Sequence, residues 1–305
     1  MTAINHDRAN IGEIELHYAD CGAENDELVL MLHGFPEFWY CWKDQLPKIG
    51  EKYHAVAPDM RGYNLSDKPD GIRAYGIKHL ISDVLALADH FGAGKFYLVA
   101  HDWGAAIAYA VAIANPERVK GLVILNGPHP FLFAELLRHH DAQIAHSQYI
   151  ARFQIPDVET ELLAEDCKQL WDWTFSDLIP TGEMTETDEF AYKTAWTQPG
   201  AMTAMLNYYR ASPLVPATEQ TKGQSFGLDP EAFRVQVPTL VVWGEGDKML
   251  VPENLDGLEN FIDDLTIVRL PGITHWVTHE APERVSYEIL GFLERLNGKK
   301  APEKD

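Results

Sequence analysis

The chain has 305 residues, with 25 Lys plus Arg against 46 Asp plus Glu and a formal net charge of −21 at pH 7. An acidic excess that large repels phosphate backbones and anionic lipid, which argues against nucleic acid and membrane surfaces as partners. With 46 % hydrophobic and 11 % aromatic residues there is ample material for a packed core, so disorder as the main state is excluded.

Apolar runs alternate with helical patterns through the first part of the chain. Ile14, Leu16 and Tyr18 alternate with Glu13, Glu15 and His17, the pattern of a half-exposed strand. Leu28–Leu32 is apolar throughout, as in a strand buried on both faces, and His54–Pro58 is a less apolar candidate. Ile77, Leu80, Ile81, Val84, Leu85 and Ala88 share one face at helical spacing, and Gly92 closes that helix. A strand at 96–100 leads into a small-residue helix over 104–115, which Pro116 stops before the strand Val119–Leu125. From 131 to 227 the pattern is helical and rich in Trp, Tyr and Phe, with no buried strand. Strands resume at 239–243 and Leu265–Leu270, and Val285, Ile289, Leu290, Phe292, Leu293 and Leu296 mark a last amphipathic helix. Strands separated by helices imply right-handed crossovers and a mainly parallel sheet, so the expected fold is α/β with a helical insertion. The charged tail 299–305 is expected to fray.

Cys21, Cys41 and Cys167 are an odd number at wide spacing and make neither a disulfide framework nor a metal cluster. The first residues carry no basic run ahead of an apolar stretch, and no apolar run approaches the ~20 residues that span a bilayer. The expectation is a soluble, reduced, cytoplasmic protein that uses no metal and no cofactor.

The stretch Val99-Ala100-His101-Asp102-Trp103-Gly104-Ala105 lies between a buried strand and a small-residue helix. Ala100 and Gly104 stand two positions either side of Asp102, as a sharp strand-to-helix turn requires around an exposed nucleophile. The competing reading is an Asp that simply caps the helix, and the stretch alone leaves both open. His33-Gly34-Phe35-Pro36 follows the first buried strand, where the amide of Phe35 can join that of Trp103 in an oxyanion hole. Trp243-Gly244-Glu245-Gly246-Asp247 and Gly272-Ile273-Thr274-His275-Trp276 each follow a later strand. The order Asp102, Asp247, His275 is that of nucleophile, acid and histidine at successive strand ends. Glu245 competes with Asp247 and His279 with His275, but spacing favours Asp247 and His275. His33 and His101 read as residues that brace loops.

With these pieces the sequence resembles the α/β-hydrolase fold, and within it the epoxide hydrolases with an aspartate nucleophile, over about residues 11–296. The resemblance is carried by His33-Gly34-Phe35-Pro36-Glu37, Asp59-Met60-Arg61-Gly62-Tyr63, His101-Asp102-Trp103-Gly104, Asn126-Gly127-Pro128-His129-Pro130 and Asn207-Tyr208-Tyr209-Arg210. It implies a mostly parallel central sheet flanked by helices, a core made of 1–130 and 228–305, and a helical cap over 131–227. It also implies that two cap tyrosines face the nucleophile. Tyr209 matches the one in Asn-aromatic-Tyr-Arg, and Tyr149 the one in Tyr-x-x-x-Phe-Gln. Ile150 departs from some relatives, which have Gln there, and Tyr192 or Tyr208 could take the place of Tyr149.

An aspartate nucleophile fits alkyl substrates. A serine attacking an sp³ carbon would form an ether that water could not cleave, whereas a carboxylate forms an ester that can be hydrolysed. An epoxide opens to a strongly basic alkoxide and wants donors such as tyrosines, while a halide needs only weak donors such as an indole. Alkyl-halide dehalogenases of this fold also place an indole where Trp103 stands, but often an Asn at the position of Phe35. Fluoroacetate dehalogenases carry Arg where this chain has Trp103 and Ala106, and a His-Trp pair where it has Tyr149. The expectation is therefore hydrolysis of a small-molecule epoxide by water, in a monomer or homodimer. A dehalogenase using Trp103, and a ligand-binding relative with little turnover, are the alternatives. Trp39, Trp42, Trp171, Trp173 and Trp196 read as core or pocket wall.

Overall fold

The computed structural model of the chain describes residues 3–298, so the tail expected to fray lies outside the described residues. One eight-stranded sheet runs through the centre. Its strands are β1 (Asn5–Asn10), β2 (Glu15–Cys21), β3 (Leu28–Leu32), β4 (His54–Pro58), β5 (Phe96–His101), β6 (Val119–Leu125), β7 (Thr239–Gly244) and β8 (Leu265–Leu270), in the order β1-β2-β4-β3-β5-β6-β7-β8. Strands β3 to β8 are parallel, as expected, with β1 and β2 added antiparallel at one edge. Helices cover both faces, so β3 is buried on each: Leu30 and Leu32 belong to one apolar cluster and Val29 and Met31 to the other.

Two features depart from the sequence reading. The strand β1, Asn-His-Asp-Arg-Ala-Asn, is polar and almost wholly exposed, so no hydrophobic pattern marks it. It forms because β2 offers it an edge of backbone donors and acceptors. The strand β2 is buried from Leu16 to Cys21 rather than half-exposed. Its polar residues are hidden in pairs: His17 Nδ1 lies 2.6 Å from Asp59 Oδ2, and Asp20 Oδ2 lies 2.9 Å from His54 Nε2. Alternation in a sequence reports polarity, and here paired polarity is compatible with burial.

The chain leaves β3 toward β4 on one side and returns to β5 on the other. Open α/β sheets bind ligands outside the carboxyl ends of the two strands where the direction of winding reverses. The loop after β3 and Asp102 after β5 stand at that end of the sheet. Between β6 and β7 the chain is helical, with Pro130–His139, Asp141–His146, Gln148–Arg152, Val158–Thr174, Glu186–Trp196 and Ala201–Ala211 as its main helices. Buried polar side chains pin these helices to the sheet layer. Trp196 Nε1 donates to Pro36 O at 2.6 Å, Tyr208 Oη to Arg61 O at 2.8 Å, and Tyr40 Oη to Asp188 Oδ1 at 2.9 Å. Among the described residues no helix is long and apolar enough to cross a membrane.

Candidate active site

Asp102 follows β5 directly and precedes the helix Trp103–Ala114, with φ 49° and ψ −117°. A residue other than glycine held there costs on the order of 1–3 kcal/mol, which the surrounding packing has to offset. Two close approaches make the turn possible. A Cβ on Gly104 would lie 2.3 Å from Leu32 O, and one on Gly34 would lie 2.3 Å from the Asp102 Cβ. The capping reading fails, because the Asp102 carboxylate makes no side-chain hydrogen bond to its own helix. Its Oδ1 instead accepts from Phe35 N at 2.7 Å. Trp103 opens the helix beside it, and the first N–H groups of a helix have no partner within the helix.

Asp247 follows β7 and His275 follows β8, and the fold brings both to Asp102. His275 Nδ1 lies 2.7 Å from Asp247 Oδ2, and His275 Nε2 lies 3.7 Å from Asp102 Oδ2. Burial alone would lower the His275 pKa, but the charge and hydrogen bond of Asp247, with the charges of Asp102 and Glu37, outweigh it and raise the group to about 9. Burial likewise works to raise Asp247, and His275, Asn126 and the Leu250 amide together bring it below its ordinary value. Glu245 instead meets Arg269 at 3.4 Å away from this group.

Asn126 carries a role that the motif containing it did not disclose. With φ 34° at the end of β6, it donates from Nδ2 to Asp247 Oδ2 at 2.8 Å, and its Oδ1 accepts from Gly244 N at 2.7 Å. It thereby aligns β7 and the acid. Glu37 was equally silent in sequence. It is fully buried, with Oε2 at 2.8 Å from His101 Nδ1 and Oε1 at 2.8 Å from His279 Nε2. A glutamate inside the apolar run Phe35 to Trp39 was the available signal, since an ionised group buried without partners is prohibitively costly.

Tyr149 and Tyr209 face each other with ring centroids 6.0 Å apart. Burial raises both phenols well above their ordinary value, and the Asp102 charge adds to the effect, so each keeps its proton. The two competitors are committed elsewhere. Tyr208 Oη is bonded to Arg61 O, and Tyr192 Oη lies 3.2 Å from Glu37 Oε1 and 3.1 Å from His279 Nε2. His33 braces its loop, accepting from Met60 N at Nε2 and donating from Nδ1 to Gly34 O.

The sheet order and the strained acidic turn at the end of β5 define a class: α/β proteins that present a reactive side chain between a central strand and the helix after it. The family model described as alpha/beta hydrolase fold matches residues 27–282. AB hydrolase superfamily protein YfhM of Bacillus subtilis is 36 % identical over 294 residues, covering 96 % of this chain and 99 % of that one. Human epoxide hydrolase 4 is 34 % identical, over 94 % of this chain and 78 % of its own. A crystal structure of Bacillus megaterium epoxide hydrolase with an inhibitor superimposes with a TM-score of 0.87 at 34 % identity, covering 94 % of this chain and 100 % of that one. The chain belongs to the α/β-hydrolase fold family, among its epoxide hydrolases.

Proposed function

We propose that the protein opens an epoxide to a vicinal diol in two half-reactions, with residues 131–227 as a cap over that end of the sheet. A carboxylate oxygen of Asp102 attacks an oxirane carbon, and the ring C–O bond breaks. Tyr149 and Tyr209 hold the ring oxygen as it becomes an alkoxide, and one of them gives it a proton. The product is an alkyl ester on Asp102. Water then attacks the ester carbonyl while His275 takes its proton, and the amides of Phe35 and Trp103 hold the oxyanion. Asp247 orients the imidazole and stabilises its charge. Collapse releases the diol; of the two water protons, one ends on the released hydroxyl and the other restores the tyrosine.

The observation that carries this reading is the pair of proton-bearing phenols near Asp102: Tyr209 packs on Phe35 and Trp103 beside it, and Tyr149 packs on Tyr209. A leaving alkoxide needs such donors, whereas a halide does not. The dehalogenase alternative would use the Trp103 indole as the halide donor and would leave the two phenols without a role. Form also fits function in the ester state. Once Asp102 is esterified its charge is gone, one of the influences raising His275 disappears, and more of the imidazole is neutral, the form that can take a proton from water.

The test is a paired turnover assay on purified protein. One arm follows diol formation from styrene oxide and aliphatic epoxides, and the other follows halide release from chloroalkanes, chloroacetate and fluoroacetate. Diol without halide supports the proposal. Halide without diol overturns it in favour of Trp103 as a halide donor.

A further inference from the structure

Trp173 stands at the outer end of a wall of aromatic rings. It lies near the end of the helix Val158–Thr174, with its ring centroid 5.4 Å from Tyr149 and 6.0 Å from Phe153. Phe153 lies 5.0 Å from Tyr209, which in turn meets Phe35 at 5.3 Å and Trp103 at 5.1 Å. Ring contacts therefore run without a break from the two residues flanking Asp102 out to solvent. Phe35, Phe153 and Tyr209 are buried, while Trp173 is 41 % exposed. Its indole closes the series on the side of Tyr149, which is itself only partly buried.

An aromatic ring left open beside a reactive group can accept another ring in an offset or edge-on arrangement. Resting on the epoxide-opening reading above, we propose that Trp173 is a specificity-determining residue: its indole is the shelf against which the aryl substituent of an epoxide packs while the oxirane lies at Tyr149, Tyr209 and Asp102. A substrate with only a short alkyl substituent reaches the tyrosines without reaching the shelf. The enzyme accordingly selects aryl-substituted epoxides over short aliphatic ones, through binding of the substituent and not through the chemistry at the ring.

Steady-state kcat and KM for phenyl glycidyl ether and propylene oxide, measured on wild type, Trp173→Ala and Trp173→Phe, test this. Loss of one aromatic contact should raise KM for phenyl glycidyl ether roughly three- to tenfold in Trp173→Ala, with kcat and the propylene oxide constants changed by less than about twofold. Trp173→Phe should recover most of the loss. Propylene oxide turnover by the same preparation shows that the variant is folded and its reacting groups intact. Parallel changes for both substrates, or faster turnover of the aryl ether by Trp173→Ala, would overturn the assignment of Trp173 and leave the epoxide reading standing. A wild-type enzyme that opens neither epoxide would instead remove the functional reading, and this inference with it.

Discussion

The backbone carbonyl of His275 accepts a hydrogen bond from Nε2 of His101 at 2.9 Å, and the two rings lie 4.6 Å apart. A carbonyl cannot donate, so Nε2 carries a proton; on the far side of the ring, Nδ1 faces the Glu37 carboxylate. Burial works to raise Glu37, but the hydrogen bonds from His101 and His279 outweigh it and hold the group well below the usual carboxylate range. His101 and His279 thus meet one buried carboxylate next to the imidazole of His275, and Tyr192 ties the group to the helices between β6 and β7.

Replacing Glu37 with Gln removes the buried carboxylate that both His101 and His279 meet. Leaving buried hydrogen-bonding groups without a matched partner costs about 1–3 kcal/mol, which urea unfolding at neutral pH should register as a lower midpoint. An unchanged midpoint would mean that the carboxylate does not hold these rings together.

The tyrosines should act on the first half-reaction. Tyr149→Phe and Tyr209→Phe should each slow ester formation by about 10²- to 10⁴-fold, read by rapid quench, and the double variant should form no ester. Retention of wild-type rates in both single variants would remove the phenols from the mechanism.

In His275→Gln the first step survives and the second does not. Intact-protein mass spectrometry after exposure to an epoxide should show the chain heavier by one substrate mass. If no adduct accumulates where wild type turns over, the covalent ester is wrong.

His275 also makes stability depend on pH in a defined direction. Its folded value of about 9 lies above the ordinary 6.5, so its contribution is complete below about pH 6.5 and is lost as pH rises through about 9. Thermal unfolding should therefore move to lower temperature between those limits, and Asp247→Asn should flatten that dependence. A midpoint that rises across the same window in wild type would contradict the sign.

Gly34→Ala should disable the site without replacing a reacting group. The new methyl would sit 2.3 Å from the Asp102 Cβ and 2.4 Å from its Oδ1, so either the turn or the Phe35 amide must shift. Loss of diol formation with a near-native circular dichroism spectrum is the expected result. Full activity would show that the turn has slack.

Much of this was legible in the chain because it is written locally. Buried strands in a parallel sheet are continuous apolar runs, and β3, β5 and β7 carry them. The turn around Asp102 needs small residues at fixed offsets, and Gly104 stands where the offset demands. Chain order alone puts Asp102, Asp247 and His275 each in the loop after an apolar strand, which the fold makes β5, β7 and β8.

What only the tertiary structure decided lies where partners are distant in sequence. The polar strand β1 has no signal of its own and exists because β2 has an edge to fill. Burial of His17 and Asp20 depends on Asp59 and His54, which arrive from β4 and the loop after it. Glu37, His101, His279 and Tyr192 show nothing individually; they acquire meaning when a carboxylate buried among them requires their donors. That the hydroxyls of Tyr192 and Tyr208 are bonded elsewhere shows only in the assembled chain, and the indole of Trp173 became distinct from the other tryptophans only through its exposure. Hydrophobic period and turn geometry act between near neighbours and can be read from order alone. Hydrogen-bond satisfaction in a low-dielectric interior is a property of the assembled chain, because the cost of an unpaired group is defined only once its surroundings are in place.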